Sequence, residues 1–98
     1  MANYLLSAIA QQDIISIRDY TMNTWGQEQV STYLSQLEQR FELLASNPQL
    51  GKKRNDVKEG YRSFQEGRHV IFYRVSEVGI EIIGIPHQSE DIEHHFNK

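Results

Sequence analysis

Residues 60–96 read GYRSFQEGRHVIFYRVSEVGIEIIGIPHQSEDIEHHF, and this stretch decides the fold. Its hydrophobic period is that of strands, and three segments stand out: Tyr61–Glu66, Arg68–Ser76 and Ile80–Pro86. Gly67 and Gly79 mark the turns between them, because glycine reaches positive φ without steric cost. Connections this short cannot make parallel crossovers, so the three strands form an antiparallel meander. In the middle strand Val70, Phe72 and Arg74 share one face, while His69, Ile71, Tyr73 and Val75 share the other. The run IEIIGI at 80–85 is apolar on both faces except for Glu81, which predicts a strand covered on both sides. Gly84 leaves a gap there, into which another backbone or a side chain fits closely.

Upstream lies the helical cover that such a sheet requires. Residues 3–7 (NYLLS) predict a short first strand, and Ser7 is an N-cap for a helix starting at Ala8. Ala10, Ile14, Ile17 and Tyr20–Thr21 form the buried stripe of that helix, with Gln11–Asp13, Ser16 and Arg18–Asp19 facing water and an end near Asn23. Thr24 and Gln27 have capping-box spacing for a second helix. Its stripe is Val30, Tyr33, Leu34, Leu37, Phe41 and Leu44, expected against Phe72, Ile83 and Ile85 or their opposite-face neighbours. Pro48 forbids continuation. Residues 48–60 form a charged loop, anchored by Leu50 and Val57. Ser89 is the expected N-cap of a short C-terminal helix in which Ile92 and Phe96 stand four apart. The fold class is therefore α+β, in the order β-α-α-β-β-β plus a short helix, as one domain over residues 1–98.

Composition narrows function. There is no cysteine, hence no disulfide framework, thiolate metal site or cysteine nucleophile, and a reducing compartment is expected. The N-terminus lacks the basic start of a secretory signal, and no apolar run approaches the roughly 20 residues of a membrane span. A cytoplasmic protein is expected. The net charge is −3, but residues 51–75 carry seven basic side chains against Asp56, Glu59 and Glu66, while the remainder is strongly acidic. A protein living on phosphate contacts usually has an overall basic surplus. A local basic segment on an acidic body suits a protein partner.

The side chains that could carry chemistry are few. His87, His94 and His95 sit among Glu90, Asp91 and Glu93, but no H-E-x-x-H spacing exists and adjacent histidines leave a helix in different directions. No metal or cofactor is expected. No nucleophile elbow or glycine-rich phosphate loop is present. Arg62, Arg68, Tyr73 and His87 are of the types that metal-free ribonucleases use to hold a scissile phosphate and move protons, if the fold brings them together.

The segments Tyr61-Arg62-Ser63-Phe64, Gly67-Arg68-His69-Val70-Ile71-Phe72-Tyr73 and His87-Gln88-Ser89-x-Asp91-Ile92, after a strand, a helical hairpin and a basic loop, resemble the ParE branch of the RelE/ParE toxin superfamily. The resemblance extends from about Tyr4 to Phe96. It implies the toxin of a bacterial type II toxin–antitoxin pair, of the kind that traps DNA gyrase on cleaved DNA and blocks replication. It also implies a ParD-type antitoxin partner, with a ribbon-helix-helix part and a flexible tail, in a hetero-oligomeric complex.

The alternative is the RelE branch, which cuts mRNA in the ribosome. Arg68 and His87 resemble in position the catalytic residues of some RelE-like toxins. The C-terminal tyrosine of those enzymes is missing, however, and acidic Ser89-Glu90-Asp91 stands in its place, where it would repel a phosphate. The resemblance thus favours a gyrase inhibitor without catalytic residues of its own. The candidate target-binding residues are Arg68, His87, Ser89 and Asp91, with Lys52, Lys53 and Arg54 of the basic loop as a second group.

Overall fold

A computed structural model describes residues 3–97. Strand β1 (Asn3–Leu6) leads into helices α1 (Ala8–Trp25) and α2 (Gln27–Ser46). A two-residue strand β2 (Lys52–Lys53) follows, then β3 (Arg62–Glu66), β4 (His69–Ser76), β5 (Gly79–Gly84) and helix α3 (Ile92–Phe96). The sheet order is β1-β5-β4-β3-β2. The meander β3-β4-β5 is antiparallel as expected, with Ser63 opposite Phe72 and Arg74 opposite Glu81. β1 joins β5 in parallel, Tyr4 beside Ile80, because the helical hairpin between them is long enough to serve as the crossover.

Several boundaries differ from the sequence reading. The loop at 48–60 is not irregular throughout: Lys52 and Lys53 pair with Ser63 and Arg62 as the edge strand β2. Arg68 belongs to the β3–β4 turn rather than to a strand, and the β4–β5 turn is Glu77–Val78, with Gly79 already in β5. Helix α1 runs two residues past Asn23, so Thr24 lies inside it and forms no capping box. Gly26 is the whole connection, ending α1 and starting α2 with φ +95°, and α2 has no side-chain cap. A single residue in that region reverses the chain, which leaves no turn for a threonine cap to occupy.

The core lies between the hairpin and one face of the sheet. Ala10, Ile17, Leu37, Phe41 and Leu44 pack on Ile71, Tyr73, Ile80, Ile82 and Ile85. Ile80, Ile82 and Ile85 share a face despite their uneven spacing because β5 carries a bulge: Tyr73 pairs with Ile82 but Phe72 pairs with Gly84, leaving Ile83 as the extra residue. The bulge turns Gly84 to the opposite face. There the Phe96 ring of α3 occupies the space a Cβ would fill, and stacks edge-on with Phe72 and Tyr61, centroids 5.2 and 6.1 Å away. The gap expected at Gly84 is filled in this way, and that end of β5 is covered on both faces.

Three residues stand differently from the roles their sequence positions suggest. Asp13 is buried, 5% exposed, on the same stripe as Ile17 and Thr21. Tyr20, assigned to that stripe, points out and is 64% exposed. The N-cap of α3 is Asp91, whose Oδ1 accepts from the Glu93 and His94 amides, and not Ser89. A carboxylate one residue before the first helical turn also complements the helix dipole, which a serine hydroxyl does less well.

Candidate functional site

At the end of the sheet where the β3–β4 turn meets the chain leaving β5, the hairpin and the sheet diverge and leave a cleft of about 590 Å³. Its formation follows from the backbone. Past the bulge, residues 85–88 run alongside residues 68–70: the Val70 amide donates to the Pro86 carbonyl, the Gln88 amide donates to the Arg68 carbonyl, and His69 bridges His87. Two imidazoles are thereby placed edge to face, centroids 5.4 Å apart. Arg68 is the neighbouring turn residue. Helix α1 supplies the opposite wall through Tyr20 and Trp25, and α2 supplies Tyr33.

Hydrogen bonds determine which ring nitrogens are available. The Ser89 amide N–H lies 3.2 Å from His87 Nδ1 and can only donate, and the Ser89 hydroxyl stands 2.8 Å from the same atom. In neutral His87 the proton therefore sits on Nε2. Tyr33 donates its hydroxyl to the Glu66 carbonyl at 3.0 Å, and His69 Nδ1 stands 2.7 Å from the Tyr33 hydroxyl oxygen. His69 Nδ1–H then donates to Tyr33, leaving Nε2 as an acceptor. Burial, reinforced by the neighbouring His87, pulls the His69 pKa below its ordinary 6.5 and favours this neutral form. Burial, with the Glu66 charge adding to it, pushes the Tyr33 phenol up to about 12.

The floor of the cleft is an ionic network. His95, 2% exposed, places Nε2 2.8 Å from Asp13 Oδ2 and Nδ1 2.8 Å from Glu90 Oε2. Both of its ring nitrogens thus face carboxylate oxygens. The same Asp13 oxygen accepts the Ile85 amide at 2.8 Å. That amide follows the bulge, where the sheet ladder is interrupted, and Asp13 supplies the acceptor in the ladder's place. Glu90 Oε1 accepts the His87 amide at 3.0 Å. One network thus ties α1, the end of β5 and α3 together beneath the histidines.

The candidate residues separate into three groups. Arg68, His87 and Ser89 come together at the mouth of this cleft. Asp91 caps α3. Lys52, Lys53 and Arg54 lie toward the other end of β3 and do not line the cleft. Lys52 and Lys53 are exposed on the edge strand, whereas Arg54 sits over the Phe72 ring, 5.2 Å from its centroid. Arg54 also hydrogen-bonds Asp56, holding that carboxyl below the usual range.

The ribonuclease-like set of Arg62, Arg68, Tyr73 and His87 does not converge. Arg62 and Tyr73 are opposite each other in register, away from His87. The Tyr73 hydroxyl donates to the Pro48 carbonyl and accepts the Gly51 amide, both at 2.8 Å, and Arg62 donates to the Gly51 carbonyl at 2.8 Å. Both fasten the loop at 48–51 to the sheet. From sequence, His69, Tyr33 and Asp13 are not candidates for this site, and His95 is weighed only as a metal ligand. A signal existed for Asp13, which stands four residues before Ile17 and eight before Thr21 on the buried stripe. None existed for the other three, whose meeting depends on the bulge and the packing of α2.

The sequence model of the family described as "ParE toxin of type II toxin-antitoxin system, parDE" matches residues 4–92. Toxin ParE1 of Caulobacter vibrioides is 38% identical over 96 residues, covering 98% of this chain and 99% of that protein. Toxin ParE1 of Mycobacterium tuberculosis is 36% identical over 93 residues, covering 94% and 95%. A solved structure titled "Chromosomal ParDE TA system from P. aeruginosa" shares the fold, with a TM-score of 0.74 at 19% identity, covering 89% of this chain and 96% of that one. With the helical hairpin and the meander wholly inside the matched region, this chain belongs to the ParE toxin family of type II toxin–antitoxin systems.

Proposed function

We propose that this toxin inhibits DNA gyrase, blocking replication in the cytoplasm, and that a ParD-type antitoxin neutralises it in a hetero-oligomeric complex. The observation that carries the reading is kinship to ParE toxins over nearly the whole chain. The geometry favours a binding surface over a ribonuclease centre, because Arg62 and Tyr73 are committed to holding the loop at 48–51. Arg68, His87 and Ser89 form the leading candidate contact surface, with exposed Lys52 and Lys53 as a second.

Purified toxin mixed with gyrase, ATP and supercoiled plasmid should accumulate linear, protein-linked DNA, while translating ribosomes given the same toxin leave mRNA uncut. His87→Ala should weaken trapping by the worth of one contact, about 1–2 kcal/mol. Loss of a general acid would instead remove about 10²–10⁴-fold of a rate. Ribosome-dependent mRNA cleavage that His87→Ala abolishes, with gyrase unaffected by either protein, would overturn the proposal.

A further inference from the structure

We infer that the cleft between α1 and the His69–His87 pair is a nucleotide-binding site, with the phosphate held by Arg68 and His87 and the base stacked on Trp25 and Tyr20. Arg68 and His87 are shared with the surface proposed for gyrase, but the assignment does not depend on that reading and rests on three features of the cleft.

The first is a donor set without internal employment. Five of the six arginines are engaged within the fold: Arg18 with Asp19, Arg40 with Glu66, Arg54 with Asp56, Arg62 with the Gly51 carbonyl and Arg74 with Glu81. Among the described residues, Arg68 is the arginine whose guanidinium bonds nothing in the chain, and it is exposed at the cleft mouth. Beside it His87 is fixed by Ser89 at Nδ1, so that in the neutral ring Nε2–H is the free donor. A guanidinium fork and an imidazole N–H suit a phosphate monoester or diester.

The second is the wall opposite. Trp25 and Tyr20 are 66% and 64% exposed, although both are large aromatic side chains. They line the same cleft as Arg68 and His87. Aromatic faces next to phosphate donors make a stacking platform for a base. The third is the state of the acidic floor. Asp13 and Glu90 would repel an anion if unpaired, but His95 stands between them and the Ile85 and His87 amides take further lone pairs. The volume of about 590 Å³ accommodates one nucleotide. The net charge of −3 argues against a long polynucleotide track.

Trp25 is the chain's single tryptophan, so intrinsic fluorescence reads this site directly. Titration of the full chain with thymidine 5′-monophosphate should give saturable quenching. Thymidine, which lacks the phosphate, should bind about tenfold more weakly, as should the nucleotide to Arg68→Ala or His87→Ala. Inorganic phosphate should compete. A tetrathymidylate that binds more tightly than the mononucleotide identifies an unpaired strand as the source; equal affinity identifies a free nucleotide. Amide chemical shifts of the parent protein give a second readout independent of the variants, with changes expected around Arg68, His87 and Trp25. Absence of saturable quenching and of shift changes up to about 10 mM nucleotide would overturn the assignment. So would quenching that thymidine reproduces and that both variants retain.

Discussion

Asp13 shows how much one side chain is asked to do. Its carboxylate is the acceptor for the Ile85 amide beyond the bulge and the partner of His95. Removing it leaves the Ile85 amide and the Nε2 side of the buried His95 ring without acceptors, and breaking a buried pair from one side costs about 3–5 kcal/mol. Asp13→Ala should therefore lower unfolding stability in urea by about that amount. Asp13→Asn, whose amide oxygen can keep the hydrogen bonds, should lose less. His69 allows a prediction in pH. Its folded pKa lies below 6.5, so between that lowered value and 6.5 the unfolded chain binds more protons than the folded one. The stability contributed by neutral His69 is complete above about pH 6.5 and is lost as pH falls toward the folded pKa. Thermal melts between about pH 7 and 5 should have a shallower slope in His69→Gln than in the parent.

Among the elements, α2 and α3 mark two extremes. Helix α2 has twenty residues and a stripe that runs its length, with Leu37 only 1% exposed at its centre. Leu37→Ala opens a cavity in the main core and should cost about 2–5 kcal/mol in denaturant unfolding. Helix α3 has five residues, too few to form alone. It is held by the Asp91 cap, the His95 network and the Phe96 ring over Gly84. Hydrogen exchange should find α3 amides opening at lower free energy than those of β4 and β5. Gly84→Ala, which displaces the Phe96 ring, should speed α3 exchange further, and unchanged α3 protection in that variant would contradict the packing described here.

For the whole molecule, charge and edges matter most. A basic segment at 51–75 lies within an otherwise acidic chain, and the lysines of β2 form one sheet edge. Two lysines on so short a strand blunt that edge, so an antitoxin tail has the β1 edge for strand addition and the exposed aromatics of α1 as an apolar seat. The protein encoded next to this chain should be a small ribbon-helix-helix partner. At about 100 times its dissociation constant it should raise toxin stability by about 2.7 kcal/mol, visible as an upward shift in melting temperature. No such shift at saturating partner would count against the neutralisation proposed above.

What the sequence by itself determined is what local periodicity encodes. The helical hairpin, the antiparallel meander and its hydrophobic faces follow from spacings of 3.6 and 2 residues within single elements. The motifs around Arg68 and His87 pointed to the toxin family for the same reason, being contiguous in the chain. Tertiary structure alone decided the site. The bulge at Ile83 is one inserted residue with no sequence mark of its own, yet it changes which side chains face the helices and frees the Ile85 amide for Asp13. Tyr33 reaches His69 from 36 residues away, and His95 reaches Asp13 from 82. Contacts at such separations depend on how elements dock, which the pattern inside any one element does not specify. Arg62 and Tyr73 illustrate the same point in reverse: suited by type to a phosphate site, they are placed by the register of β3 and β4 where they hold a loop.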